Sequence, residues 1–408
     1  MAVRKALATA YAGHLFRYGC ILILIPFYAR VLGPDEYGKV LVATALGSLV
    51  WIIQNWGFSV LGARTIATSS NQQERQAEMS RQMTARLLIM PAGLLIGLGG
   101  TLLSPVLREA PLYGLLGTAW GVLSGFNLGW YFQGLHQFKN AVKAEVVGLA
   151  CTLVLAISLV TAFRQGIMAL WALVIATSIS NIYAYRMAAA TASFRPASAA
   201  DGARLLRESV PFFLNTAAGN MLATGGGYIL GLYSSPAQVA VYGIAERIVT
   251  TVLGLLGPAG QVMLPWLAKL KTLQGTEDSY RRSQRLASLW VVSAGLVTGT
   301  GAFLLGPYVL PLVFGTEYTA SAEILRFFAP LFLLYAYNHA MIIYRLLPAR
   351  RERHVGAIMI VCALVCVAAM VVAAPAFGGN GVAAARVAAE LLAAVALSAA
   401  VSKLRRES

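Results

Sequence analysis

Charge is scarce in this chain, and negative charge is scarcest. Only 12% of the 408 residues are Asp, Glu, Lys or Arg, about half the share of an ordinary soluble domain. With 58% hydrophobic residues and a mean hydropathy of +0.69, this excludes a water-soluble globular protein and leaves an integral membrane protein. Cysteine is nearly absent as well: Cys20, Cys151, Cys362 and Cys366 all lie inside apolar runs. Cys362 and Cys366 share a helix face, but no His or carboxylate joins them to complete a zinc set, so they read as packing residues and no metal is expected. No GxSxG, HExxH or P-loop pattern is present, which leaves hydrolysis and ATP use without support. The connections expected on the outer side are short, for example 232–238 and 377–381. A membrane-embedded glycan polymerase or ligase needs a larger extramembrane segment for its catalytic groups, so an enzyme is not expected.

What the chain does have is apolar runs from end to end. A bilayer core about 30 Å thick needs roughly 20 apolar residues in a helix. Reading between charged or turn-forming breaks gives twelve spans, at 11–32, 40–62, 85–107, 112–132, 142–163, 166–188, 210–232, 239–265, 285–307, 323–346, 355–375 and 380–401. Runs such as AIMIVCALVCVAAMVVAA (357–374) do not alternate as barrel strands do, so the expected class is all-α. The start, MAVRKALATAYAGHLFRYG, carries no small-residue cleavage site after its apolar stretch, and the first span is expected to stay in the protein.

Lys and Arg divide unevenly. Of the 32, 24 fall in connections on the side of the two termini, while Arg30, Lys39, Arg108 and Arg164 fall on the other and Arg17, Arg247, Arg326 and Arg386 lie within spans. The connection after span 2 counts Arg64, Arg75, Arg81 and Arg86 among the 24. The positive-inside rule then places both termini in the cytoplasm. The net charge of +16 accordingly reads as topology and attraction to anionic membrane lipids, with no nucleic-acid partner expected.

The polar stretch TASFRPASAADGARLLRE (191–208) separates six spans from six. It predicts an N-terminal six-helix lobe over 1–195, a cytoplasmic linker over 196–208 and a C-terminal six-helix lobe over 209–408. An even number of spans per half sends both halves into the membrane in the same direction. LGPDEYGKVLVATAL (32–46) and LGLYSSPAQVAVYGIAERI (230–248) echo each other, each with a polar turn and then a tyrosine and glycine opening a helix. Two parallel bundles suggest a transporter with its site between them near the bilayer midplane.

Four stretches carry a family resemblance: PFYARVLGPDEYGKVLVATAL (26–46), WGFSVLGARTIATSSNQQER (56–75), GWYFQGLHQFKNAVKAEVVG (129–148) and the run from LRESVPFFLN to YGIAERI (206–248). In order and spacing the chain resembles the Wzx-type polysaccharide flippases, relatives of drug and toxin extruders and of lipid II flippases in one exporter superfamily. The resemblance implies a bacterial inner-membrane protein that moves an undecaprenyl-diphosphate-linked oligosaccharide from the cytoplasmic to the outer leaflet by alternating access. It implies a role in lipopolysaccharide O-antigen, capsule or exopolysaccharide synthesis, alongside polysaccharide polymerase machinery, and a cavity lined mainly by spans 1, 2, 7 and 8.

A lipid-linked diphosphate is an anion that must cross low dielectric, and arginine matches phosphate with a permanently charged fork. Arg17, with His14 three residues earlier on the same helix face, is the first candidate contact; the competing reading is snorkelling to the headgroups. Arg247 is the second, with a structural pair to another helix as its competitor. Arg30 reads as a release site or a lobe cap, and Arg64 as a loading site or a topology residue. Arg326 is expected to pair locally with Glu323. Arg386 and Glu390, four apart, are expected to neutralise each other, yet Glu246 and Glu390 are also the carboxylates available for coupling to H+ or Na+. Gln54, Asn55, Asn215 and Asn220 could bond sugar hydroxyls or other helices, and Trp51, Trp56 and Tyr242 could stack on sugars or anchor span ends. Pro26 is expected to let the first helix bend. The alternative function on the same fold is an ion-coupled drug or metabolite exporter, for which a cavity of carboxylates and apolar surface would be expected.

Overall fold

The computed structural model describes the backbone of residues 2–192, 195–254 and 277–407, and the side chains of 16–192, 195–254 and 282–404. The helices are α1 (Ala2–Asn55), α2 (Phe58–Thr68), α3 (Gln72–Leu103), α4 (Pro105–Glu109), α5 (Pro111–Gly125), α6 (Gly129–Gly134), α7 (Phe138–Phe163), α8 (Gly166–Ala188), α9 (Ala199–Glu208), α10 (Val210–Leu230), α11 (Pro236–Gly254), α12 (Glu277–Phe314), α13 (Ala320–Met341) and α14 (Glu352–Glu407). Among the described residues there is no strand. Seven helices are long and apolar enough to cross a membrane, and two of these, Phe16–Thr68 and Glu352–Leu404, are 53 residues long. Each holds two successive predicted spans; spans 4, 7 and 8 fall on the shorter helices α5 with α6, α10 and α11, so the described helices together accommodate the twelve-span reading. The last part of the span expected at 239–265 lies outside the described residues.

The two long helices break at glycine. Gly33 has φ 72° and Gly378 φ 55°, left-handed values that a side chain disfavours. Pro26 lies within α1, and the non-helical residue of α1 is Gly33, at the turn between spans 1 and 2. Glu36 fastens this turn, accepting hydrogen bonds from Lys39 Nζ (2.7 Å), Tyr113 Oη (2.5 Å) and the Gly166 amide (2.8 Å). Burial alone would raise the Glu36 carboxyl, but these donors more than offset it and hold the group below the usual carboxylate range.

Contacts divide the chain into two compact units, Met1–Asn220 with Gly231–Ala240, and Met221–Leu230 with Val241–Ser408. In the first, α1 packs against α5, α7, α3 and α8. Small residues let α1 and α5 approach closely: a Cβ at Gly117 or Gly121 would run into the backbone oxygens of Ala43 or Gly47, the small-residue packing expected between membrane helices. α3 opens with Asn71 accepting from the Glu74 amide (2.9 Å) while Glu74 accepts from the Ser70 amide (2.8 Å), a reciprocal cap. The Ser70 amide and hydroxyl lower the Glu74 carboxyl below its ordinary range.

The stretch expected as a linker holds α9, which docks on α3. Leu205 is buried in a cluster with Phe58 and Ala85, Glu208 accepts from Arg81 at 3.0 Å, and the Ala197 amide donates to Thr84 Oγ1 at 2.8 Å. The break between α1 and α2 secures the following helix start. Trp56 stacks on Phe213 with ring centroids 3.9 Å apart and donates to the Leu206 carbonyl at 3.0 Å. Gly57, at φ 73°, abuts the backbone of Phe212 and Phe213 so closely that a Cβ would sit 2.7 and 2.6 Å from them. In the second unit α13 packs on both α12 and α14.

Candidate functional site

Each unit contains its own polar cluster at membrane depth. In the first, Arg17 of α1 pairs with Glu145 of α7 through both Nε and a terminal nitrogen. The two side chains keep 43% and 31% of their surface exposed. A paired guanidinium is easier to keep in a bilayer than a lone one, and partial exposure leaves the cation within reach of an anion that can compete with the carboxylate.

More fully buried in the same unit is a cluster built around a gap in span 4. The span breaks between Gly125 and Gly129, which leaves the last carbonyls of α5 without helical partners. Non-helical backbone at membrane depth persists only where protein satisfies it. Here Arg86 donates to the Gly125 carbonyl, Asn181 Nδ2 to the Leu123 carbonyl at 2.8 Å, and Tyr185 Oη to the Phe126 carbonyl at 3.2 Å. Arg86 is 2% exposed; its guanidinium sits 5.4 Å from the Phe58 ring centroid and 6.0 Å from that of Trp130. A cation at a helix C-terminus meets the negative end of the dipole, and the two aromatic faces add to its stabilisation. Gln82 continues the network, donating to the Phe58 carbonyl (3.2 Å) and to Glu78 (3.0 Å).

The second unit gathers two carboxylates around one arginine. Glu390, with 3% of its side chain exposed, lies 3.5 Å from Arg386 and accepts from Asn338 Nδ2 at 2.7 Å. Tyr242 donates to Glu246 at 3.0 Å, and Arg386 is close enough to act electrostatically on both Tyr242 and Glu246. Arg247, the next residue along, acts on Glu246 as well. Two arginines and two carboxylates thus balance in formal charge.

Residues 3–271 match the family described as polysaccharide biosynthesis protein. The chain belongs to that family. A candidate O-antigen transporter from Shigella dysenteriae is 26% identical over 372 residues, spanning 89% of this chain and 91% of the relative. Among solved structures, a multidrug resistance transporter of the MATE family and MOP superfamily in an inward-facing conformation aligns with a TM-score of 0.71 at 14% identity, covering 97% of this chain and 99% of that one. The lipid II flippase MurJ in an inward closed conformation aligns at 0.70 with 11% identity, covering 96% and 87%. These likenesses show the fold, an all-α multi-pass membrane architecture. The relatives are transporters and a flippase, in line with the expectation that this family member is a carrier.

The structure of this polysaccharide biosynthesis family member distributes the sequence candidates unevenly. Arg30 and Arg64 are exposed, and Arg247 is half-buried. Gln54 is buried and donates to the Arg86 carbonyl at 2.8 Å, while the buried Asn55 accepts from Ser59 at 2.6 Å. Asn215 and Asn220 donate to the Pro211 (3.0 Å) and Thr216 (2.8 Å) carbonyls one turn earlier. The side chain of His14 lies outside the described residues. Arg326 departs from its expected pair: its guanidinium lies 5.5 Å from the Phe303 ring centroid, while Glu323 accepts from Asn380 at 3.0 Å. Arg86, counted among the polar connection residues, is in fact buried. Its signal was present as Glu78, Gln82 and Arg86, spaced four apart on one helix face. Glu145 was also missed, since it sits at the edge of span 5 and its partner is 128 residues away.

Proposed function

We propose that this protein is a flippase that carries an undecaprenyl-diphosphate-linked oligosaccharide from the cytoplasmic to the outer leaflet of a bacterial inner membrane by alternating access, with both termini cytoplasmic. The single observation that carries this reading is the match to the candidate O-antigen transporter along 89% of the chain. The fold alone fits a drug exporter equally well; the relative does not.

In this reading Arg17 receives the diphosphate in exchange for Glu145, and Arg247 receives it in the second unit. An anion on Arg247 draws that cation away from Glu246. Glu246 and Glu390 are then left with Arg386 between them, one negative charge in excess, and an H+ or Na+ restores neutrality. Switching follows from the differential affinity of substrate and ion for the two states. Delivery of the flipped glycan to polysaccharide polymerase machinery follows on the outer side.

The test is translocation in proteoliposomes, comparing the native protein with Arg17→Ala and Arg247→Ala at matched reconstitution. The reading expects both variants to lose most transport while keeping their melting temperature. Full transport in both would remove the two arginines from the substrate path, and ion-independent transport that survives Glu246→Gln would remove the coupling role.

A further inference from the structure

The first unit also carries a groove beside the gap in span 4. An open groove of about 660 Å³ runs between α3, α5 and α8, walled by Met83, Leu123, Phe126, Ile182 and Ala189, with Arg186 on its edge. The polar side chains of the wall bond protein carbonyls: Asn181 to Leu123 (2.8 Å), Tyr185 to Phe126 (3.2 Å) and Ser178 to Val174 (2.8 Å). The groove therefore presents apolar surface to whatever occupies it. Arg186 is exposed and, among the described residues, has no hydrogen-bond or ion-pair partner.

The geometry sets depth as well as chemistry. α8 has 23 residues, about 35 Å of helix, enough to cross the hydrocarbon core. Arg186 is in its last turn, at the level of the headgroups. Ile182 and Ser178 follow one and two turns deeper, so the groove descends about 12 Å into the hydrocarbon. A cation at the interface above an apolar channel matches a phosphate above an acyl chain.

We propose that this groove binds one anionic phospholipid, its phosphate on Arg186 and one acyl chain laid along α8. Charge balance selects the occupant. One unneutralised guanidinium is balanced by one phosphodiester with a neutral head. A choline head would bring a second cation beside Arg186, and a diphosphate lipid would leave negative charge over. The site is independent of what the protein carries.

Native mass spectrometry of the purified full-length protein, titrated separately with phosphatidylglycerol and phosphatidylcholine, tests this. The native protein should retain one phosphatidylglycerol at concentrations where phosphatidylcholine is lost. Arg186→Gln should weaken that binding roughly tenfold, the size of one charge-assisted contact, Arg186→Lys should recover part of it, and Ile182→Trp should reduce it by filling the groove with the charge intact. Melting curves verify that each variant is folded. Equal retention of the two lipids, unchanged phosphatidylglycerol binding in Arg186→Gln, or one-for-one displacement by a polyprenyl diphosphate would each overturn the assignment.

Discussion

Replacing Glu145 by Gln separates a substrate-facing Arg17 from a merely structural one. The carboxylate is the partner of Arg17, and the two side chains are 31% and 43% exposed. Two unit charges at about 4 Å attract by roughly 4 kcal/mol at the effective dielectric of a protein surface. Side-chain ordering and solvent screening reduce the net value of such part-exposed pairs to about 0.5–1 kcal/mol. A diphosphate that displaces Glu145 must overcome this amount, and Glu145→Gln removes it. Substrate affinity should therefore rise about two- to fivefold, with thermal stability lowered by no more than the same small energy. The assay is equilibrium binding of a lipid-diphosphate-linked oligosaccharide in nanodiscs, for the native protein, Glu145→Gln, Arg17→Ala and the double variant. In Arg17→Ala the effect of Glu145→Gln should vanish, because the competition has gone. Unchanged or weakened binding in Glu145→Gln, or an equal gain with and without Arg17, would refute the reasoning and leave the pair a tie between α1 and α7.

Other expectations concern the scaffold. Gly57→Ala places a methyl against the Phe212 and Phe213 backbone at a left-handed φ of 73°; a loss of about 1–3 kcal/mol is expected, read as a lower melting temperature. Arg86→Ala leaves the Gly125 carbonyl buried without its donor and opens space beside Phe58 and Trp130, for a loss of about 2–4 kcal/mol by thermal melting. Glu36 is held below its unfolded pKa, so the stability it contributes is present above about pH 4.3 and is lost as pH falls through the folded value. The melting-temperature gap between native protein and Glu36→Gln should then be open at pH 7 and shrink on acidification; a gap independent of pH would contradict this assignment.

The number and position of the spans were legible because hydropathy is a local property, and a helix long enough to cross a bilayer announces itself in its own residues. Family membership was legible for a similar reason, since the polar turns at 32–39 and 56–75 lie at span ends, where residue choice is narrow. Pairing was harder to read. Arg17 and Glu145 meet across two helices, and nothing in either segment specifies the other. Arg86 stands one residue inside its apolar run, where a charge reads as the end of a span, and only the gap in span 4 explains why it is drawn inward. Arg326 lies against Phe303 while Glu323 accepts from Asn380, contacts between helices that no i, i+3 rule contains.

The most direct test of the central proposal is leaflet-to-leaflet movement catalysed by the native protein in proteoliposomes, using one oligosaccharide carried either on undecaprenyl diphosphate or on a neutral polyprenol. The account predicts rapid movement of the diphosphate-linked form and little of the neutral one. Movement of both alike, or of neither across a panel of glycans and ions while ion-dependent drug efflux is observed, would contradict it.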